Sequence, residues 1–297
     1  MQTSRTPEYL VIGHICADLL PDGTSVLGGT ALYSALTAAR LGWRVGVLTR
    51  GRFGTTVGGV PVPSLGGYAD ELSIIVQDAE TPTMFRNEYQ AGRRTQHMPR
   101  WAGPIDLRGL PPHWRNAKVI HLGPIAQEID PRQTGGLTAG FLGVTPQGWM
   151  RDWPKETGGK VTLHGLRLPG ELLGKIDAIV VSDEEISLVR EEVERVGARR
   201  LGVITLGEYG ARIIYGGETA DLPGYKVPTV DLTGAGDVFA AAFFIRATDR
   251  TASAITAGRF ANGVAAVSLR GVGTSGVPSK REVEEFLKTA EERPLRR

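Results

Sequence analysis

The chain has 297 residues, 41% of them hydrophobic and 22% charged, with a formal net charge of +2. That balance suits a globular protein with a large core, and so small a basic excess gives no reason to expect nucleic-acid or membrane binding. Cys16 is the only cysteine, which excludes an internal disulfide and argues against a cysteine-based metal site. The residues before Tyr9 are polar and lack the apolar stretch of a signal peptide, and no run approaches a membrane span. A cytoplasmic location is expected.

In chain order, residues 9–12 read as a buried strand ending at Gly13. A helical pattern over 30–41 closes at Gly42, and 45–49 reads as the next strand. Strand, helix and strand in that order suggest a right-handed crossover in a parallel sheet. Residues 51–67, rich in Gly and Pro, read as a connector. Residues 71–77 and 83–89 alternate like strands with one exposed face, suited to a small accessory sheet outside the main fold. Short apolar strands follow at 119–122 and 141–144, while strands at 178–181 and 201–205 bracket a charged helix over 184–196. Residues 211–215 and 225–230 look like a hairpin. Helices over 238–247 and 252–269 precede a Gly-rich loop and an amphipathic helix from Lys280. This alternation predicts an α/β sandwich with a central, mainly parallel sheet and helices on both faces. No linker divides it, so 1–297 is expected to be one domain, with a β lid drawn from parts of 14–30 and 70–100.

The most informative segment is Asp231-Leu-Thr-Gly-Ala-Gly-Asp237, which runs into an apolar, Ala-rich helix. A small-residue turn entering a helix presents free backbone N–H groups and the positive end of the helix dipole, an arrangement that holds phosphate. Gly234, Ala235 and Gly236 leave room for an anion to approach the backbone. Asp237 would repel that anion, but it suits a base that takes a proton from a hydroxyl attacking the phosphate. The plainer alternative is a Gly-rich turn capping an ordinary helix.

With its two acids and Phe239, this segment resembles the C-terminal signature of the ribokinase/PfkB carbohydrate kinases. Further motifs, from Val11 to Pro278, follow in that family's order. Asp18, beyond the first strand, aligns with an acid that binds substrate hydroxyls, and Gly28-Gly29-Thr30 is similar to the first signature. Tyr33 stands where the family often has Asn, which suggests a pocket with more ring-stacking surface than a ribose site. Glu185 matches the Glu of an Asn-x-x-Glu motif that organises magnesium, with Ser182 replacing the Asn. An acidic first helical turn explains the same residues without a metal. Thr205, Gly207 and Gly210 resemble a turn along the nucleotide, Asn262 an adenine-side residue, and Gly271 and Gly273 a terminal loop near a monovalent cation. Gln147 and Arg151 follow a strand and are placed near the pocket.

The resemblance implies a ribokinase-like fold and transfer of phosphate from ATP to a hydroxyl of a sugar-like polyol. Asp237 would be the base, and the Gly234, Ala235 and Gly236 N–H groups would form the anion hole. Magnesium would bridge the phosphates near Glu185, while Asp231 and the Thr233 backbone would help hold a potassium-like ion. A homodimer through the lid is the assembly the resemblance suggests. Two alternatives stay open: a nucleoside or inositol kinase of the same fold, and a catalytically silent sugar- or nucleotide-binding regulatory protein.

Overall fold

The computed structural model describes residues 6–90, 93–249 and 251–295. Nine strands form the central sheet, in the order 218–222, 211–215, 201–205, 178–182, 141–144, 119–122, 9–12, 45–50 and 72–77. Only 211–215 runs against the rest. The first strand, Tyr9–Ile12, lies between Val45–Arg50 and Val119–Leu122, parallel to both. Its residues alternate between two cores. Tyr9 and Val11 face helices α1 (Thr30–Arg40), α4 (Ala235–Ala247), α5 (Ala254–Ser268) and α6 (Lys280–Leu287). Leu10 and Ile12 face the layer containing α2 (Gly170–Lys175) and α3 (Ile186–Gly197). Burial on both faces explains why this strand is a continuous apolar run.

A second sheet, ordered 159–160, 93–100, 83–90, 16–19 and 25–28, forms the lid. Leu72–Gln77 is not part of it, contrary to the expectation for 71–77; this strand pairs with Val45–Arg50 at the edge of the central sheet. An edge strand carries the same alternation as a lid strand, and Val76 is accordingly exposed. The expected pairing of 211–215 with 225–230 also fails. Ala211–Tyr215 pairs with Glu218–Leu222 through Gly216-Gly217, both at positive φ, as a tight hairpin requires. Residues 226–230 form no strand, and Pro228 supplies no ladder donor. Helix α4 begins three residues earlier than expected, which brings Asp237 into its first turn.

Candidate active site

The carboxyl ends of the central strands open into a cavity of about 460 Å³, where open parallel sheets commonly bind ligands. Gly234, Gly236 and Asp237 form one wall, Ser182, Glu184, Glu185 and Thr205 another, and Gln147 and Arg151 a third. Gln96 closes it from the lid.

Gly234 caps α4 in the left-handed conformation, φ 78°. The Ala235 N–H turns back to the Leu232 carbonyl at 3.3 Å, and the Val238 N–H donates to the Gly234 carbonyl. Among the described residues, the N–H groups of Gly234, Gly236 and Asp237 have no backbone partner outside the helix ladder, as expected of a helix start. Asp237 therefore joins Gly234 and Gly236 as a candidate anion donor, while the Ala235 N–H is already engaged.

The two glycines have different reasons to be glycine. A Cβ at Gly234 would lie 2.3 Å from the Tyr33 ring, whereas one at Gly236 would meet nothing within 4 Å. Tyr33 is only 4% exposed and packs beneath the Gly234 turn. Its ring therefore supports the turn and offers no stacking face to an acceptor, which corrects the sequence expectation. Gly234→Ala should combine this clash with an unfavourable backbone and destabilise the fold by about 1–3 kcal/mol. Chemical denaturation would measure that loss; unchanged stability would show that the turn does not need glycine.

Burial raises the Asp237 carboxyl to about 6, opposed by the Thr30 hydrogen bond and the Arg151 charge; Glu185 pushes the same way as burial. The Thr30 hydroxyl donates to Asp237 Oδ1 at 2.7 Å. Gln147 Nε2 donates to Thr30 Oγ1 at 2.9 Å, and Arg151 Nη2 to Gln147 Oε1 at 2.8 Å. Gly29 makes this approach possible at φ 91°, since a Cβ there would lie 2.8 Å from the His14 carbonyl. Neither spacing nor composition shows that Thr30 and Gln147 meet Asp237, because the three residues come from separate segments.

Asp18 lies on the lid strand Cys16–Leu19 and not directly on the end of a central strand. Gly28 pairs with Cys16 on the neighbouring strand, and a Cβ there would lie 2.6 Å from Asp18 Oδ2. Asp18 and Asp237 both push the Cys16 thiol and the Tyr33 hydroxyl upward, secondary to burial, so the two acids share one neighbourhood. Glu185 lines the cavity while its Oε2 accepts the Ser182 N–H at 3.0 Å. Helix α3 begins at Ile186 with no acid in its first turn, so the expected first-turn role is not found; Glu185 is the N-cap residue, and its carboxylate lines the cavity. Both Asp231 oxygens accept backbone N–H groups, Oδ1 from Thr233 and Oδ2 from Gly273. That pair ties the terminal loop to the signature segment.

Thr205 reaches the cavity, but Gly207, Gly210, Asn262, Gly271 and Gly273 are not part of its lining. A Cβ at Gly210 would lie 2.1 Å from the Leu222 carbonyl, and one at Gly271 2.6 Å from Gly276 Cα, so close packing explains both. Asn262 is buried, and its Nδ2 donates to the Pro223 carbonyl at 2.9 Å. Sequence reasoning also missed Glu128, which is fully buried and accepts the N–H groups of His14, Ile125 and Ala126. It ties the segment at His14 to that at Ile125 and Ala126, and no motif marks it.

The family profile described as pfkB family carbohydrate kinase matches residues 168–281, which span Glu185, Thr205 and the whole Asp231–Asp237 segment. Escherichia coli fructokinase is 28% identical over 258 residues, 78% of this chain and 81% of that protein. These matches support a ribokinase/PfkB-type carbohydrate kinase. Bacillus subtilis ribokinase is 41% identical, but over 85 residues that span only 29% of its length. Among solved structures, a pyrophosphate-dependent kinase in the ribokinase family, complexed with sulfate, superposes with a TM-score of 0.72 at 19% identity. That match covers 93% of this chain and 99% of the other. Arabidopsis thaliana ribokinase complexed with ribose and ATP gives 0.66 at 21%, covering 96% and 100%. At such identities the likeness establishes the ribokinase fold. Among the described residues, no helix is long and apolar enough to cross a membrane.

Proposed function

We propose that this chain transfers the γ-phosphoryl group of ATP to a hydroxyl of a sugar or sugar-like polyol, with Asp237 as the general base. The observation that carries the reading is the Asp237 carboxyl in the wall of a 460 Å³ cavity, beside the N–H groups of Gly234 and Gly236 at a helix start. Thr30 holds Oδ1, leaving Oδ2 to take the acceptor proton. As that proton leaves, the acceptor oxygen bonds to the γ-phosphorus. The bond to the bridging oxygen breaks, and its electron pair departs on ADP. The Gly234, Gly236 and Asp237 N–H groups face the charge on the transferred group, where preformed donors act most strongly.

Magnesium, when bound, supplies charge neutralisation on the phosphates. Glu185 is the carboxylate that would hold it, through water, because magnesium prefers oxygen ligands and keeps several waters. Asp231 and the Thr233 backbone would serve a potassium-like ion, with Asp231 already linking this segment to the Gly273 loop. Thr205, which lines the cavity, is assigned to the donor. Gly207, Gly210, Asn262, Gly271 and Gly273 are assigned to the donor side as well, with Gly210 and Gly271 also required by close packing. Asp18, Gly28 and Gly29 are assigned to the acceptor at the base of the lid, since a carboxylate that accepts two hydroxyls favours polyols.

The test is ADP release with ribose, fructose, myo-inositol and adenosine as acceptors, with magnesium present and potassium or sodium at fixed ionic strength. At least one acceptor should stimulate release, and potassium should raise the rate. A parallel arm measures phosphate transfer from pyrophosphate. No phosphorylated product from any acceptor with either donor would favour a silent binding protein. Equal rates in potassium, sodium and tetramethylammonium would remove the monovalent cation from the proposal.

A further inference from the structure

We infer that Arg151, Gln147 and Thr30 form a directional hydrogen-bond relay that positions the catalytic base and keeps it ionised. This role rests on the proposed kinase reading. It gives Thr30 and Gln147, expected at the substrate pocket, a role toward the base instead.

The direction of the relay follows from what each group can donate. A guanidinium has donors and no acceptor. Arg151 Nη2, 2.8 Å from the Gln147 side-chain oxygen, therefore fixes which end of the amide faces it. The Gln147 NH₂ must then face Thr30, where it donates to Oγ1 at 2.9 Å. A hydroxyl has one hydrogen, so with a lone pair occupied Thr30 donates to Asp237 Oδ1 at 2.7 Å. Each link requires the next, and the last requires an acceptor. A carboxylate accepts this last hydrogen bond more strongly than a protonated carboxyl does, so the relay favours the ionised form of Asp237.

Arg151 is itself anchored. Its Nη1 donates to the Ile125 carbonyl at 2.8 Å, and the guanidinium lies 5.3 Å from the centre of the Phe85 ring. Thr30 is fully buried at the start of α1. Two glycines admit the assembly: a Cβ at Gly123 would lie 2.5 Å from Thr30 Cγ2, and one at Gly148 2.3 Å from the Pro124 carbonyl carbon. Among the described residues, the groups whose charge acts on Asp237 or is acted on by it include Arg151, Glu185, Tyr9, Tyr33 and Cys16, with Asp18 reaching the last two and Asp231 reaching Tyr33. Arg151 is the only cation in that set. Asp237 is raised by burial, and its Thr30 hydrogen bond and the Arg151 charge act downward.

The experiment is the pH dependence of kcat/KM for whichever acceptor the wild type phosphorylates, measured from pH 5 to 9. In the wild type the rate should rise as Asp237 loses its proton. Thr30→Val removes the donor at nearly constant shape, and Arg151→Met removes the cation. Both should move the acidic limb upward by about one pH unit, corresponding to one pKa unit or 1.36 kcal/mol. The KM for ATP should change little, and Thr30→Ser should restore the wild-type limb. Limbs that coincide with wild type in both variants would overturn the relay. Gln147→Met decides the matter if Thr30→Val does not fold, because it breaks the same chain at the partly exposed wall. If the wild type phosphorylates nothing, the kinase reading fails instead; the relay is then judged from the Asp237 carboxyl titration by NMR in the same variants.

Discussion

Asp237→Asn is expected to lower turnover by about 10²–10⁴, the usual contribution of a positioned acid or base. The variant keeps the size of the side chain, and its amide oxygen can still accept from Thr30. It cannot take the acceptor proton. Binding of an ATP analogue should remain near wild type, because the Gly234 and Gly236 N–H groups are unaltered. More than about a tenth of wild-type turnover would exclude Asp237 as the base. A second effect has a defined sign. Burial raises this carboxyl from its ordinary value to about 6, so the folded state binds its proton more tightly than the unfolded chain. The associated stability is fully present below the unfolded pKa and is lost as pH rises through about 6. At pH 8 the wild type therefore bears the cost of an ionised, enclosed carboxylate that the Asn variant avoids. Allowing for screening by the open cavity, the variant should be more stable by about 1 kcal/mol, or roughly 2–4 °C in Tm. The advantage should shrink toward pH 4. A Tm difference constant from pH 4 to 8 would contradict the raised pKa.

The sequence was most legible where one physical constraint acts along a short stretch. Tyr9–Ile12 is apolar throughout because both faces are buried, and its neighbours in the sheet follow from the same logic. The segment from Asp231 to Asp237 reads clearly because three small residues, two acids and a helix start all lie within seven residues. Leu72–Gln77 was placed wrongly because alternation reports one exposed face without saying which sheet supplies it. Gly216-Gly217 marked the true hairpin, yet Pro-containing 225–230 drew the assignment. Tyr33 misled for another reason. Substitution for a polar residue near a ligand suggests a new wall, but here the ring fills the space left by Gly234. Contacts between distant segments carry the least local signal. Glu128 and the set of Thr30, Gln147 and Asp237 become visible only once the fold has assembled them.

Gly236→Val should abolish most activity while leaving the fold nearly intact. Gly236 is not in the left-handed region, and a Cβ there meets nothing within 4 Å. Valine is also a better helix former than glycine, by a few tenths of a kcal/mol, so the first turn of α4 loses nothing in propensity. The added side chain instead enters the cavity, whose wall includes Gly236 and Asp237. There it would hold a phosphate away from the N–H groups at the helix start. Losing a single such donor commonly costs about 10²–10³ in rate, and a branched side chain obstructs more than one. Gly236→Ala should fall between wild type and valine, since a methyl group only narrows the approach. Gly234→Ala supplies the contrast. Only two positions away, it should act through stability, because its Cβ collides with Tyr33. Parallel thermal melts and turnover assays on the three variants separate the two causes. If Gly236→Val keeps more than about a tenth of wild-type turnover, the transferred phosphate does not approach the start of α4, and the anion hole must be sought elsewhere in the cavity.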